Sequence, residues 1–257
     1  MISALLIDLD GTVYSQGQGY PGASFAIDFL RRRKIPFRFI TNTTGMSRGR
    51  LVKRLAGMGI ESTPADIFIA PQAAALYCRK QGYRRVWLAT RDEAVFEEFD
   101  GLELTQENPQ AVVLADFRDD FSYARMNALF GAVLAGAELV AMQKGRDWLT
   151  EEYGPTLDLG PYVAALEYAT AKQAIVVGKP ARLFFDLALE GWSLPRAQIA
   201  VVGDSVENDL RWAEAAGLQS IMVRTGIYDA EAAGISADWT IDSLADMPAL
   251  LDRLQPS

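Results

Sequence analysis

Histidine is absent from the 257 residues. That absence excludes a Ser-His-Asp triad, a phosphohistidine intermediate, and a His-ligated zinc or haem. Cysteine occurs once, at Cys78. One thiol excludes an internal disulfide and a cysteine-cluster metal site, and it suits a reducing cytosol, so a cytoplasmic location is expected. The start, Met1 to Asp8, has no basic segment and meets a charge early, so it does not read as a signal peptide. The longest mostly apolar stretch, Ala128 to Met142, is interrupted by Glu138 and is too short for a bilayer. Positive charge is in deficit, with 25 Lys and Arg against 33 Asp and Glu, a net of −8. Neither nucleic acid nor an anionic membrane is the expected partner. What remains is carboxylate chemistry, with a hard metal as its natural companion.

No repeat, low-complexity block or Gly/Pro-rich linker divides the chain. Short apolar runs alternate instead with helical patterns. The runs are Ala4–Asp8, Pro36–Thr41, Ile67–Ala70, Gln198–Gly203, Gln219–Arg224 and Asp238–Ile241. Helices are predicted over Pro21–Lys34, Ser47–Met58, Gln72–Lys80 and Asn208–Ala216. Continuous apolar runs separated by helices predict parallel strands buried on both faces, an open α/β sheet. The middle of the chain repeats the alternation by itself. Strands are predicted at Val86–Thr90, Ala111–Ala115, Leu139–Met142 and Ala174–Val177. Helices fall at Glu93–Phe99, Ser122–Ala135 and Tyr162–Ala169. The expected organisation is a Rossmann-like parallel sheet core, residues 1–82 plus 178–257, carrying an inserted α/β domain over residues 83–177.

Three motifs look chemical and are better read otherwise. Gly17-Gln18-Gly19-Tyr20-Pro21-Gly22 has G-x-G-x-x-G spacing. A dinucleotide fold needs an acidic residue at the end of the next strand, and that strand ends in Thr41-Asn42-Thr43-Thr44. Gly45-Met46-Ser47-Arg48-Gly49 matches G-x-S-x-G, but no histidine completes the triad, so Ser47 reads as a helix cap. Cys78 and Arg84 have the Cys-x5-Arg spacing of thiol phosphatases. Cys78 falls late in an Ala-rich helix, however, where a lone cysteine is a small core residue.

Four other elements converge. Asp8-Leu9-Asp10-Gly11-Thr12-Val13 ends the first strand. Two carboxylates crowded at a strand end repel unless a cation lies between them, and an oxygen-only ligand set points to Mg²⁺. Taken alone, either acidic turn is an ordinary polar loop. Gly203-Asp204-Ser205-Val206-Glu207-Asn208-Asp209 repeats the form. In an open sheet, ligands gather outside the carboxyl ends of the strands. If these two strands are neighbours, Asp8, Asp10 and Asp204 meet there, with Asp209 supporting the metal shell from behind. Thr41-Asn42-Thr43-Thr44-Gly45 supplies hydroxyl, amide and backbone N–H groups for an anion. Gly178-Lys179-Pro180 adds a cation, with Pro180 expected to open a helix.

The set D-x-D-G-T, T-N, G-K-P and G-D-x-x-x-x-D, in this order, resembles the haloacid dehalogenase (HAD) superfamily of aspartate-nucleophile phosphatases. The large insert resembles that of its NagD-like subfamily, whose α/β cap it would be. Residues 116–123, Lys144-Gly145-Arg146 and residues 159–169 are similar to the branch containing phospholysine phosphohistidine inorganic pyrophosphate phosphatase. Animal members of that branch often carry serine where Asp10 stands, so this chain differs in keeping both acids. The resemblance implies a Mg²⁺-dependent phosphatase. Asp8 would be the nucleophile and form an aspartyl phosphate. Asp10 would be the acid and base and lend a backbone carbonyl to the metal, and Asp204 would complete the protein's share of the shell. Thr41, Asn42 and Lys179 would hold the phosphoryl oxygens. Within the cap, Lys144 and Arg146 are the candidates that face the substrate. The implied partner is a small phosphorylated molecule, not nucleic acid or membrane, and a homodimer is compatible with it. The alternative is a phosphoryl-storing or phosphate-sensing protein with little turnover. Asp10 speaks against that, and against C-halogen hydrolysis, because neither needs a second acid.

Overall fold

Ala4-Leu5-Leu6-Ile7-Asp8 is buried at every position, with no polar alternation. A strand that must satisfy two covered faces has this pattern. The computed structural model, which describes residues 1–117, 120–150, 153–226 and 236–254, places it inside a six-stranded sheet. The order is Trp239–Ile241, Gln219–Val223, Ile199–Gly203, Ala4–Asp8, Phe37–Thr41, Ile67–Ile69. Pairing from Phe37–Thr41 across to Trp239–Ile241 is parallel throughout. Each of these strands lies within a residue or two of its sequence reading. Ile7 is opposite Val202 and Asp8 opposite Ile40, so three neighbouring strands end together.

A second sheet has five parallel strands in the order Ile175–Val176, Glu138–Ala141, Ala111–Leu114, Arg85–Ala89, Glu103–Leu104. Its last member is a two-residue exposed edge strand, too short to leave a period-2 signal. An antiparallel hairpin pairs Asp147–Thr150 with Gly154–Leu157. It too had no sequence reading. By density of contacts the chain forms two compact units. One comprises Met1–Thr41, Arg48–Phe68 and Ala188–Ser257; the other Asn42–Ser47 and Ile69–Leu187. The second unit includes the helix Ala70–Lys80, whose Tyr77 hydroxyl donates to Glu138 Oε2 at 2.7 Å. Tyr83 donates to the same oxygen at 3.1 Å.

Several local readings change. The helix expected at Glu93–Phe99 is present with those bounds and is of the 3₁₀ type. Pro180 opens no helix: the Lys179–Pro180 peptide is cis, and the helix starts at Arg182. The segment read as one helix from Asn208 is a π-turn over Val206–Leu210 followed by a short α-helix, Arg211–Ala215. The G-x-G-x-x-G stretch is a hairpin, with Tyr14–Ser15 against Gln18–Gly19. Gln16 and Gly17 turn it with φ of 48° and 78°, the positive pair that a tight two-residue hairpin turn requires. No helix among the described residues is long and apolar enough to cross a membrane.

Cys78 is fully buried in Ala70–Lys80, and burial, with the nearby Glu138 charge, pushes its thiol up to about 12. A thiol held protonated well above neutrality and out of solvent is inert. The native protein should therefore leave Ellman's reagent unreacted at about pH 8, with one thiol appearing on denaturation. Fast labelling of the folded protein would contradict this packing.

Candidate functional site

Asp8 is the last residue of its strand and is 4% exposed. The chain turns immediately. Leu9 O accepts three backbone N–H groups, from Thr12, Val13 and Tyr14 at 3.3, 2.8 and 3.1 Å. Gly11, at φ 89°, makes the reversal, a conformation costly for other residues. Thr12 Oγ1 donates to Asp8 Oδ2 at 3.4 Å. Thr41 ends the adjacent strand, 3% exposed.

On the other side, Gly203 ends its strand and Asp204 follows, 4% exposed. Ser205 caps the π-turn, its Oγ accepting from Asn208 N at 3.2 Å. That wider turn delivers Asp209, 1% exposed, back toward the strand end. Oxygens of Asp8, Asp204 and Asp209 all lie within 4.8 Å of one another. The backbone is shaped around them. A Cβ on Gly11 or on Gly226 would run into the Asp204 carboxylate, and one on Gly203 into that of Asp209. Thr225 Oγ1 donates to Gly11 O at 2.6 Å and ties the two loops together. Three buried carboxylates in a glycine cradle form an all-oxygen donor set, which fits a hard divalent cation. Asp209, read as a support behind the metal, thus contributes an oxygen to the group itself.

Asp10 is placed differently. It is exposed, and its Oδ2 accepts a hydrogen bond from the Tyr14 hydroxyl at 3.2 Å. Tyr14 is 1% exposed. Burial first, and then the Asp10 charge, hold its phenol well above the ordinary tyrosine range, so Tyr14 remains a donor to Asp10 at any working pH. Tyr14 was missed from the sequence, where one tyrosine after an acidic turn carries no distinguishing signal.

In the second unit, Asn42 and Lys179 are joined reciprocally. Asn42 Nδ2 donates to Lys179 O at 2.8 Å, and Lys179 N donates to Asn42 Oδ1 at 2.6 Å. Both ends of the amide are spent on the main chain of Lys179, which makes Asn42 the residue that orients the lysine. Lys179 is 5% exposed, unlike the solvated residue that a lone lysine usually is. Thr44 Oγ1 accepts from Asp116 N at 3.2 Å. In the inserted sheet's loops, Lys144 is paired to Glu167 at 2.6 Å, and Arg146 is exposed.

Fold and site together define an open parallel α/β enzyme with an acidic, cation-competent centre at the carboxyl ends of its strands. Residues 5–105 match the family described as haloacid dehalogenase-like hydrolase, and residues 176–247 match the HAD-hydrolase-like family. The chain is 35% identical to haloacid dehalogenase-like hydrolase domain-containing protein 2 of Bos taurus, over 89% of this chain and 86% of that protein. It is 34% identical to phospholysine phosphohistidine inorganic pyrophosphate phosphatase of Homo sapiens, over 97% of this chain and 94% of that one. Among solved structures, p-nitrophenyl phosphatase from Archaeoglobus fulgidus superposes with a TM-score of 0.89 at 26% identity, covering 97% and 99% of the two chains. NagD of E. coli shares the fold, with a TM-score of 0.85 at 21% identity over 95% and 98%. The chain belongs to the haloacid dehalogenase superfamily, in its NagD-like subfamily, and is a hydrolase of the phosphatase class.

The glycine cradle yields a graded test. Gly59 has φ 73° with open space around it, whereas Gly11 combines φ 89° with the Asp204 carboxylate. Gly59→Ala should cost about 1 kcal/mol of backbone strain alone. Gly11→Ala should cost about 2–4 kcal/mol, because displacement of a packed group adds to that strain. It should also blunt the rise in melting temperature on adding a divalent cation, read by thermal denaturation. Equal effects at the two sites would mean that Gly11 is only a turn.

Proposed function

We propose that this protein is a Mg²⁺-dependent phosphatase of small phosphorylated molecules that works through an aspartyl phosphate on Asp8. The observation that carries this reading is the buried group Asp8, Asp204 and Asp209 at the ends of parallel strands. The bound cation would neutralise this group and the phosphoryl oxygens. In the first half-reaction an Asp8 oxygen bonds to phosphorus, and the bond from phosphorus to the leaving-group oxygen breaks. Asp10 gives that oxygen its proton. In the second, Asp10, now a carboxylate, takes a proton from water. The resulting hydroxyl displaces Asp8 from phosphorus, releasing phosphate and restoring both acids. Exposed at its turn and oriented by Tyr14, Asp10 is suited to meet both leaving group and water. Thr41 and Lys179 are assigned to the phosphoryl oxygens, with Asn42 holding Lys179 in place. Phosphoryl transfer is mainly positioning and charge stabilisation, which is what these groups supply. A storage or sensing protein would have no use for Asp10 and its tyrosine.

We assign residues 83–177 as a cap that selects the leaving group, with Lys144 and Arg146 as its cationic candidates. The relatives named for pyrophosphate and p-nitrophenyl phosphate hydrolysis favour small leaving groups as first substrates to try.

Turnover of p-nitrophenyl phosphate should fall to background in excess EDTA and return with Mg²⁺. Full activity after thorough chelation would remove the metal from the mechanism. Mg²⁺ should also raise the melting temperature of wild type but not of Asp209→Asn, a readout independent of turnover.

The two front acids should separate cleanly. Asp8→Asn should abolish turnover, since the nucleophile is lost. Asp10→Asn should slow it by roughly 10²–10⁴-fold, the usual contribution of general acid–base help. Rapid quench with labelled substrate should place the phosphoryl group on Asp8. Label on another residue, or wild-type turnover by Asp8→Asn, would overturn the scheme.

A further inference from the structure

The peptide that follows the strand Glu138–Ala141 is held against the Asn42–Lys179 pair. A Cβ on Gly178 would collide with Met142 O and with Asn42 Oδ1, so the loop of residues 142–146 springs from the place where the phosphate-handling lysine is fixed. All of these residues lie within one compact unit.

That loop is fastened to the start of the helix Leu159–Thr170. Asp158 caps the helix, Oδ1 accepting from Leu159 N at 2.7 Å and from Gln143 Nε2 at 2.5 Å. Gln143 Oε1 in turn accepts from Gly145 N. Gly160 N donates to Gly145 O at 2.8 Å, and Asp158 N to Arg146 O at 3.2 Å. Gly145 and Gly160 leave no space for a side chain: a Cβ on the first would strike Asp158, and one on the second Gly145 O. Gln143 is 7% exposed, so its amide bonds are made largely away from water and are costly to lose.

The two cations of the loop then differ. Lys144 Nζ is 2.6 Å from Glu167 Oε2, with side-chain exposures of 36% and 10%. The other Glu167 oxygen accepts from Ala174 N at 2.9 Å. Lys144 is a strut between loop and helix, its charge answered. Arg146 has a fixed main chain and an exposed guanidinium with no hydrogen bond or ion pair among the described residues. A guanidinium offers paired donors that match phosphate oxygens.

We propose that Arg146 is the specificity-determining residue for leaving groups that carry their own negative charge, as in phosphoanhydrides, and that Gln143 is the positioning residue that holds its loop. This rests on the phosphatase reading above and refines it, since Lys144 is assigned to structure.

The test compares kcat/KM for pyrophosphate and p-nitrophenyl phosphate in the full chain with Mg²⁺. Arg146→Ala should lower the value for pyrophosphate by about 10- to 100-fold more than for p-nitrophenyl phosphate, the worth of a charge-assisted hydrogen bond. Arg146→Lys should recover part of the difference. Lys144→Met should lower both by the same factor. Gln143→Met should reproduce the selective loss, mainly in KM, and should add little to Arg146→Ala in the double variant. A general loss of structure would instead add to it and strike both substrates alike. Equal losses on both substrates in Arg146→Ala, or a selective loss in Lys144→Met, would overturn the assignment. So would a wild-type protein that cleaves p-nitrophenyl phosphate yet neither cleaves pyrophosphate nor is inhibited by it. Failure to cleave p-nitrophenyl phosphate with Mg²⁺ would strike the phosphatase reading instead.

Discussion

Three carboxylates with oxygens within 4.8 Å of one another, each almost cut off from water, are the constraint on which the core unit depends. With an effective dielectric near 20, each ionised pair at that separation repels by at least about 3 kcal/mol. Three pairs approach the whole stability of an ordinary domain, about 5–15 kcal/mol. A cation held among the acids relieves that repulsion. A site that only avoided the repulsion would turn one acid outward. Here the turn after Gly203 brings a third acid inward.

The rest of the core serves that gathering. Parallel register makes the strands of Asp8, Thr41 and Asp204 end at one edge, which is where open α/β sheets place their chemistry. The reversal at Gly11 and the bond from Thr225 bring two loops to the Asp204 carboxylate without side chains in between. The π-turn Val206–Leu210 widens the start of the following helix. Such turns recur at functional sites because they re-aim one side chain at a local cost in helix geometry. Asp209 is the side chain re-aimed here.

The core strands were legible because burial on both faces writes a continuous apolar run, and five residues such as Ala4–Asp8 suffice to show it. The acids at the strand ends were legible because charge stands out after such a run. What escaped was set by three-dimensional closeness. Asp209 read as a background residue since its spacing presumed a regular helix, and the wider turn changed its direction. Asn42 read as an anion ligand by its type, whereas its amide is spent on the peptide of Lys179. Tyr14 was silent because hydroxyl donors are read from geometry and not from pattern. The edge strand Glu103–Leu104 and the paired strands Asp147–Thr150 and Gly154–Leu157 are too short to write a hydrophobic period.

Each of the two units fastens its own set of polar groups. The carboxylates rest on the turn after Asp8, the π-turn and glycines at 11, 203 and 226, all in the first unit. Lys179, Asn42 and the loop of residues 142–146 belong to the second, where Gly178 packs against Met142. The hydrogen bonds that fasten that loop among the described residues involve none of Asp8, Asp204 and Asp209. Distant sites without shared partners vary almost independently in energy. With the role proposed for that loop, substitutions around Gln143 and Arg146 would change leaving-group preference while the three acids, and the demand they make for a cation, stay as they are.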